Sequence, residues 1–204
     1  MELIPFLREA LSQTLPGKDA HRSFYPLREM QPIEKSRYID TAVGIHIFKE
    51  FDTFRTILIE KSVFKGPHSG QMAFPGGKKE IEDLDLETTA RRESFEEIGI
   101  AMNKGELLGK LTQVYIPVTK FCIHPYIFYH TSKPTIQPNF EVASYEVVRI
   151  NDILKDELIG TTTIHHQNNM YLKNIPCFHL NQRTIWGATA LILSELKEIL
   201  KIPI

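Results

Sequence analysis

Three glutamates at helical spacing are the residues of this chain best suited to chemistry. Glu93, Glu96 and Glu97 occupy positions i, i+3 and i+4, so a helix places them on one face within a single turn. Carboxylates at this spacing repel one another by about 0.2–0.5 kcal/mol per pair, and a cation among them would remove that cost. Hard cations such as Mg²⁺ prefer oxygen ligands and keep part of their water shell. The cluster therefore predicts a divalent-cation site with room for a phosphate and an attacking water.

A glutamate-rich run on a helix is also typical of a solvated surface. Two features of the flanking sequence favour the cation site over that simpler interpretation. Gly76 and Gly77 precede the helix, and adjacent glycines let backbone groups approach a ligand closely. Gly99 is a candidate C-cap directly after the helix. On the opposite face of the helix, Phe95 and Ile98 are expected to be buried.

The wider segment resembles the signature box of the Nudix hydrolases. That box is a glycine, an acidic loop residue, Arg-Glu, a small or apolar residue, any residue, Glu-Glu, any residue, Gly and an apolar residue. The matching positions are Gly77, Arg92, Glu93, Glu96, Glu97, Gly99 and Ile100. Ser94 departs from the pattern, since the box prefers an apolar residue there.

The loop of the box is similar to that of one branch of the family, the coenzyme A pyrophosphatases. From Gly77 to Arg92 is fifteen positions, one more than usual, and the acidic loop residue becomes Asp83. The branch also has the sequences Phe-Pro-Gly-Gly-Lys, found here at 74–78, and Thr-Ala-x-Arg-Glu, found at 89–93.

The residues upstream of the box resemble the same branch, with one departure. Its additional motif is a basic-Ser pair, a loop with Arg and His, and a glycine. The chain matches it at Lys61, Ser62, His68 and Gly70. Gly66 stands where the loop arginine is expected, with Lys65 just before it. Lysine is a point charge at a phosphate, whereas arginine holds two oxygens in a fork, so the two are not equivalent.

The resemblance continues downstream and covers about residues 38–198. Glu141 occupies a place at which the family often supplies a further acid to the metals. A salt-bridged or loop-capping carboxylate is the equally weighted alternative for that residue. Ser144 stands where another glutamate is common in the branch, so a second acid is missing at that position.

The resemblance implies hydrolysis of a diphosphate linked to an organic group, with Mg²⁺ or Mn²⁺ as cofactor. Glu93 is favoured as the general base and Glu96 is the alternative. Arg92 belongs to the catalytic set, although it is expected to tie the acidic loop to the helix more than to touch substrate. The implied metal ligands are the Gly77 carbonyl, Glu93, Glu96, Glu97 and Glu141. The expected substrate-binding residues are Lys61, Ser62, Lys65, His68, Gly76 and Lys78.

Three functions remain open at this point. The first is cleavage of CoA or acyl-CoA to 3′,5′-ADP and (acyl-)phosphopantetheine. The second is Nudix hydrolysis of another dinucleotide or a nucleotide sugar. The third is a non-catalytic Nudix-fold binding module, which is disfavoured because every glutamate of the box is present.

Composition limits the remaining choices. The 204 residues are 42% apolar and 24% charged, which is typical of one globular domain. A net charge of −1 disfavours nucleic acid as a partner. No segment reads as a signal peptide or a membrane span, so a cytoplasmic protein without membrane contact is expected. Cys122 lies in an apolar run and is expected in the core. The expected partner is a small diphosphate substrate, and a homodimer is left open.

The elements that must position these residues read as an α+β chain. Residues 1–37 are predicted to form an N-terminal helix and an extended lead-in, and 38–204 the Nudix domain. The resemblance implies an α/β/α sandwich with a mixed sheet between helices. Helices are expected at 3–11, around the box, at 151–156 and at 186–201; 16–37 is expected to be extended. Strands are expected at 42–48, 54–60, 107–117, 121–130, 144–149, 170–172 and 177–180.

Overall fold

The computed structural model describes residues 2–24, 38–62, 70–166 and 170–201. The helices are α1 (Leu3–Ser12), α2 (Gly17–His21), α3 (Leu86–Ile98), α4 (Ile150–Ile153) and α5 (Gly187–Lys201). The strands are β1 (Ile39–Glu50), β2 (Thr53–Lys61), β3 (Met72–Ala73), β4 (Gly76–Lys78), β5 (Glu106–Lys110), β6 (Val114–Ile116), β7 (Phe121–His130), β8 (Val142–Arg149), β9 (Ile159–His166), β10 (Met170–Leu180) and β11 (Arg183–Trp186). None of the helices in these ranges has the length and apolar character needed to cross a bilayer.

Strands β1–β8 form one mixed sheet, and β9–β11 form a second, antiparallel sheet. Strand β1 pairs antiparallel with β2 and β4 and parallel with β7. Side chains alternate between the two faces of a strand, so β1 contributes to two separate clusters. Ile45 and Ile47 join the main core, whereas Ala42 and Phe48 face the side that carries Ala90 of α3 and the residues around it.

The mixed sheet lies between helix α3 on one face and helices α1 and α5 on the other. Leu7 of α1 and Leu193 and Leu196 of α5 are fully buried in the main core with Ile45 of the sheet. Apolar faces of helices and sheet are removed from water together, which is what stabilises a layered fold. The arrangement confirms the predicted α+β fold with a mixed sheet between helices.

Helix α3 has well-defined ends. The carboxylate of Asp85 accepts a hydrogen bond from the Thr88 amide at 2.7 Å and caps the N-terminus. Gly99 ends the helix in the left-handed region, with φ of 74°, as the sequence predicted for a C-cap. The expectation for Phe95 was wrong, because its side chain is 51% exposed. The buried stripe runs through Ala90, Ser94 and Ile98, and Phe95 lies one residue outside it.

The N-terminal segment differs from the predicted extended lead-in. Residues 17–21 form α2 and residues 22–24 a 3₁₀ turn, while 25–37 lie outside the described residues. The physical reason is a buried carboxylate on α5: Glu195 accepts hydrogen bonds from the Gly17 amide at 3.1 Å and from Thr112. Phe24 then stacks on Phe178 at 4.7 Å. The division of the chain at residues 37 and 38 stays a prediction.

The C-terminal third contains more strand than the sequence predicted. Strand β9 was not predicted, and β10 continues through a register shift between Leu172 and Ile175, where two short strands were expected. Trp186 ends β11 and is half-buried, so α5 begins one residue later than expected. The predicted strand at 107–117 divides into β5 and β6. Because strand formation depends on the partner strand and its burial, the polar strand β9 carries little signal of its own.

Candidate active site

The carboxylate of Glu97 lies at the centre of the candidate site. Its side chain is 1% exposed and forms an ion pair with the ammonium group of Lys61. Its other oxygen accepts a hydrogen bond from the Gly76 amide at 2.8 Å, and the Gly76 carbonyl accepts one from Lys61 at 3.1 Å. Burial raises the pKa of Glu97, although Lys61 and the Gly76 amide oppose that shift.

The two glycines before α3 bring the backbone against these carboxylates. Strand β4 pairs with β1 so closely that a Cβ on Gly76 would lie 2.7 Å from Cα of Val43. A Cβ on Gly77 would lie 2.5 Å from Cδ of Glu93 and 2.7 Å from its Oε2. Any side chain at Gly77 would therefore displace the Glu93 carboxylate.

Glu93 is less deeply buried than Glu97. Its side chain is 15% exposed. Burial raises the pKa of Glu93 to about 7, Arg92 opposes this, and the nearby Glu97 adds to it. In the absence of a cation, the carboxyl is therefore divided between its two protonation states near neutral pH.

Arg92 connects the acidic loop to α3. Its guanidinium donates to both oxygens of Asp83 at 3.0 Å and to the Lys78 carbonyl at 2.9 Å. It also donates to Glu93 at 3.1 Å and to Glu96 at 3.0 Å. The hydrogen bonds from Arg92 hold the pKa of Asp83 at about 2, despite the burial of that carboxyl. Arg92 thus has the connecting position that the sequence predicted.

The remaining predicted ligands are more exposed. Glu96 is 49% exposed and contacts Arg92. Glu141 is exposed, and its carbonyl accepts a hydrogen bond from the Ser62 amide at 2.8 Å. The charge of Glu141 adds to the raised pKa of Glu97, which indicates that the two carboxylates lie near each other. The structure therefore brings Glu93, Glu96, Glu97 and Glu141 to one end of the sheet.

The predicted substrate-binding residues occupy different environments. Lys61 faces Glu97, and the Ser62 hydroxyl donates to the Phe140 carbonyl at 2.9 Å. Lys78 is exposed, with its ammonium group 5.6 Å from the centre of the Phe121 ring. Lys65 and His68 lie outside the described residues. The roles of these residues stay predictions.

Comparison with known proteins agrees with the arrangement of the Gly76–Gly77 turn and helix α3. A family model described as the NUDIX domain matches residues 39–165. The chain belongs to the Nudix family. It is 29% identical to Nudix hydrolase 3 of Caenorhabditis elegans, over 90% of this chain and 86% of that protein. It is 30% identical to the mouse mitochondrial coenzyme A diphosphatase NUDT8, over 66% of this chain and 64% of that protein.

Solved structures show the same Nudix fold. The Nudix hydrolase RenU of M. smegmatis aligns with a TM-score of 0.57 and 15% identity, over 82% of this chain and 89% of that chain. A MutT/nudix family protein from Enterococcus faecalis aligns with a TM-score of 0.53 and 13% identity, over 96% of this chain and 73% of that chain. The fold prediction is confirmed by both.

One group of polar residues beside α3, the helix of the Nudix box, was not predicted from the sequence. Ser94 accepts a hydrogen bond from Nε2 of His46 at 2.8 Å and donates to the Ala90 carbonyl at 2.6 Å. Nδ1 of His46 lies 2.9 Å from Nε2 of His130. The available signal was Ser94 itself, a polar residue where the box prefers an apolar one, because a buried hydroxyl needs hydrogen-bond partners.

Proposed function

We propose that this Nudix hydrolase cleaves the diphosphate of CoA or acyl-CoA to 3′,5′-ADP and (acyl-)phosphopantetheine, with Mg²⁺ or Mn²⁺ as cofactor. The observation that carries hydrolysis is the pair of carboxylates set against the Gly76–Gly77 turn, the buried Glu97 and the partly buried Glu93. Two ionised carboxylates in one partly buried place are costly without a compensating charge. The restriction to CoA rests on the sequence resemblance and on the relative named coenzyme A diphosphatase.

The residues present fit a hard divalent cation. The donors are carboxylate oxygens. Because Gly77 has no side chain, the Glu93 carboxylate occupies the space beside its backbone. Glu93, Glu96 and Glu97 would hold the cation with the Gly77 carbonyl, and Glu141 would add an outer acid. When bound, such a cation supplies positive charge to the diphosphate and lowers the pKa of a coordinated water.

Each neighbouring residue then has a distinct part in the proposal. Glu93 accepts the proton of the attacking water, and Glu96, more exposed, is the alternative base. Arg92 holds Glu93 and Glu96 in place while it binds Asp83. Lys61 compensates the charge of Glu97 before the cation arrives. Lys78 is left exposed to meet a flanking phosphate.

Recognition of the CoA part is assigned to residues 62–70. Ser62 joins this segment to the Phe140–Glu141 turn through two hydrogen bonds, so the segment starts beside the carboxylates. Gly66 removes the arginine expected in the branch, which leaves Lys65 and His68 as candidates for phosphate contact. One charge-assisted contact is worth about 1.5–3 kcal/mol, or about ten- to a hundredfold in affinity.

The second candidate is hydrolysis of another nucleoside diphosphate derivative, such as a dinucleotide or a nucleotide sugar. The missing loop arginine at Gly66 favours it, because that position would otherwise bind the phosphates of CoA. A binding module without turnover is the weakest candidate, since the box glutamates are all present. A cytoplasmic location and a homodimer also stay predictions.

A substrate panel tests the proposal. The purified protein with Mg²⁺ is offered CoA, 3′-dephospho-CoA, NADH and ADP-ribose, and products are separated chromatographically. We expect 3′,5′-ADP from CoA at the highest kcat/KM of the panel. Lys65→Ala should lower kcat/KM for CoA by about ten- to a hundredfold and affect 3′-dephospho-CoA less. Lys110→Ala, at an exposed lysine of β5, is the matched control.

The outcomes separate the candidates. Turnover of NADH or ADP-ribose as fast as CoA would overturn the CoA assignment and leave the general Nudix activity. Full activity in excess chelator would overturn the metal mechanism. Absence of turnover on the entire panel and on further nucleotide sugars would favour the binding module.

A further inference from the structure

Three side chains with metal-binding atoms converge at the start of the parallel strand pair β1 and β7. Asp40 on β1 is aligned with Cys122 on β7, and His124 follows two residues later on the same face. Nε2 of His124 lies 3.3 Å from Sγ of Cys122 and 3.0 Å from Oδ1 of Asp40. All three atoms lie within 4.8 Å of one another.

Hydrogen bonding alone accounts poorly for this convergence. Both the sulfur and the carboxylate oxygen approach the same ring nitrogen, and a neutral imidazole nitrogen has either one hydrogen or one lone pair. It can therefore make only one good hydrogen bond in this plane. A metal ion placed between the three atoms would instead satisfy all of them at once.

We propose that Asp40, Cys122 and His124 form a zinc site separate from the carboxylate cluster of the Nudix helix. Thiolate, imidazole and carboxylate together are a ligand set that zinc accepts, whereas Mg²⁺ prefers oxygen alone. Three protein ligands leave a fourth tetrahedral position for water. The two sites therefore differ in ligand chemistry and take different metals.

Two of the three ligand-to-ligand distances require only small movements on binding. Tetrahedral zinc places its ligand atoms about 3.4 Å apart for N and O and about 3.6 Å apart for S and N. The observed separations of 3.0 and 3.3 Å would widen by a few tenths of an ångström. Asp40 is 56% exposed, so its carboxylate is able to rotate, while Cys122 is buried at 4% exposure and His124 is 20% exposed.

Neighbouring hydrogen bonds help to fix Cys122 and the backbone of Asp40. The Cys122 carbonyl accepts a hydrogen bond from Thr41 at 3.2 Å, and the Tyr115 hydroxyl hydrogen-bonds with the Cys122 side chain. The Asp40 carbonyl accepts a hydrogen bond from the Lys79 amide at 3.0 Å. Because Lys79 begins the acidic loop of the box, the zinc site adjoins that loop.

The chain contains a matched internal control. Cys177 and His179 on β10 repeat the Cys-x-His spacing, and Sγ of Cys177 lies 3.4 Å from Nε2 of His179. Among the residues that the structure describes, no carboxylate joins this second pair in a three-ligand cluster. A thiol and an imidazole at this spacing can therefore be compared with and without the acid.

Cobalt spectroscopy and zinc titration test the proposal. Reduced, chelator-treated full-length protein is titrated with Co²⁺, which reports thiolate ligation by a charge-transfer absorption, and the bound Co²⁺ is then displaced by Zn²⁺. We expect one such site per chain. Cys122→Ser and His124→Ala should abolish the absorption, and Asp40→Asn should weaken zinc affinity by about tenfold or more. Cys177→Ser and His179→Ala should leave both unchanged.

Two results would overturn the zinc site. One is the absence of thiolate absorption in the wild type at saturating Co²⁺. The other is an absorption that survives Cys122→Ser and disappears in Cys177→Ser. Circular dichroism checks the folding of each variant, and the exposed Asp40→Asn keeps the test valid if Cys122→Ser unfolds. Glu97→Gln should keep the thiolate absorption, which separates this site from zinc bound by the Nudix carboxylates.

Discussion

Lys61 of β2 and Glu97 of α3 form an ion pair in which the carboxylate is 1% exposed and the ammonium-bearing side chain 28% exposed. The lysine therefore supplies the positive charge that the buried acid needs. A bound divalent cation would supply the same charge, so lysine and metal would compete for one carboxylate.

The first prediction concerns this competition. Lys61→Met should lower the free energy of unfolding without Mg²⁺ by about 2 kcal/mol, because Glu97 is left buried and unpaired. Saturating Mg²⁺ should stabilise this variant more than the wild type, since the cation restores the missing charge. Thermal unfolding with and without Mg²⁺ measures both changes. Lys133→Met removes an ion pair with Glu50 that is remote in sequence from the box and is the control. An equal Mg²⁺ effect in wild type and Lys61→Met would contradict the shared role.

The second prediction concerns catalysis. Glu93→Gln and Glu97→Gln should each lower kcat by about a hundredfold or more while the protein stays folded, because each removes a negative ligand or the base. Glu87→Gln is the matched control: Glu87 lies on the same helix and pairs with Arg91 at 2.8 Å. Steady-state assays at saturating Mg²⁺ provide the comparison. Near-wild-type rates in both site variants would show that the carboxylate assignment is wrong.

The third prediction concerns the loop of the box. Asp83 has its pKa lowered from 3.8 to about 2 by the hydrogen bonds from Arg92. The stabilisation is therefore fully present above pH 3.8 and is lost as the pH falls toward 2. At neutral pH, Asp83→Asn should cost about 2 kcal/mol of unfolding free energy.

Denaturant unfolding of wild type and Asp83→Asn at several pH values measures this difference. The gap between the two proteins should be constant from pH 7 to about pH 5 and narrow below pH 4. Asp19→Asn, at an exposed ion pair with Arg22, is the control and should change stability little. A gap that does not narrow in acid would mean that Asp83 does not act through its charge.

The sequence predicted the site better where its residues are close together along the chain. The spacing of Glu93, Glu96 and Glu97 and the cap at Gly99 are local, and both appear as expected in α3. Local spacing did not predict how deeply each glutamate is buried. Glu97 of α3 is enclosed by Lys61 of β2 and by the Gly76 amide of β4.

Long-range pairing explains what the sequence left out. Lys61 was expected to bind phosphate, and its contact with Glu97 bridges 36 positions. His46 and Ser94 are 48 positions apart, so no periodic pattern connects them. The half-exposed Phe95 shows the same limit, because the small side chains of Ala90 and Ser94 provide the face that packs on the sheet.

The fourth prediction concerns the buried histidines. The Ser94 hydroxyl donates to the Ala90 carbonyl, so it accepts from Nε2 of His46, and Nδ1 of His46 is left to accept from His130. The lone pair on Nδ1 makes the His46 ring neutral in this chain of hydrogen bonds, in which His130 is the donor. Burial lowers the pKa of His46 well below its usual value and that of His130 from 6.5 to about 4, with Arg91 contributing to both.

At these two histidines the unfolded chain binds more protons than the folded protein between pH 6.5 and about pH 4, so their contribution to stability should fall as the pH is lowered through this window. For His130 alone, the full loss of unfolding free energy across this window is about 3 kcal/mol. His130→Gln keeps a donor for His46 but cannot titrate, so it should lose less unfolding free energy than the wild type when the pH is lowered. His179→Gln, at an exposed histidine, controls for the loss of one imidazole. Urea unfolding from pH 7 to pH 4.5 measures the slopes. If the unfolding free energies of His130→Gln and wild type change in parallel with pH, the lowered pKa of His130 does not contribute to the pH dependence of stability.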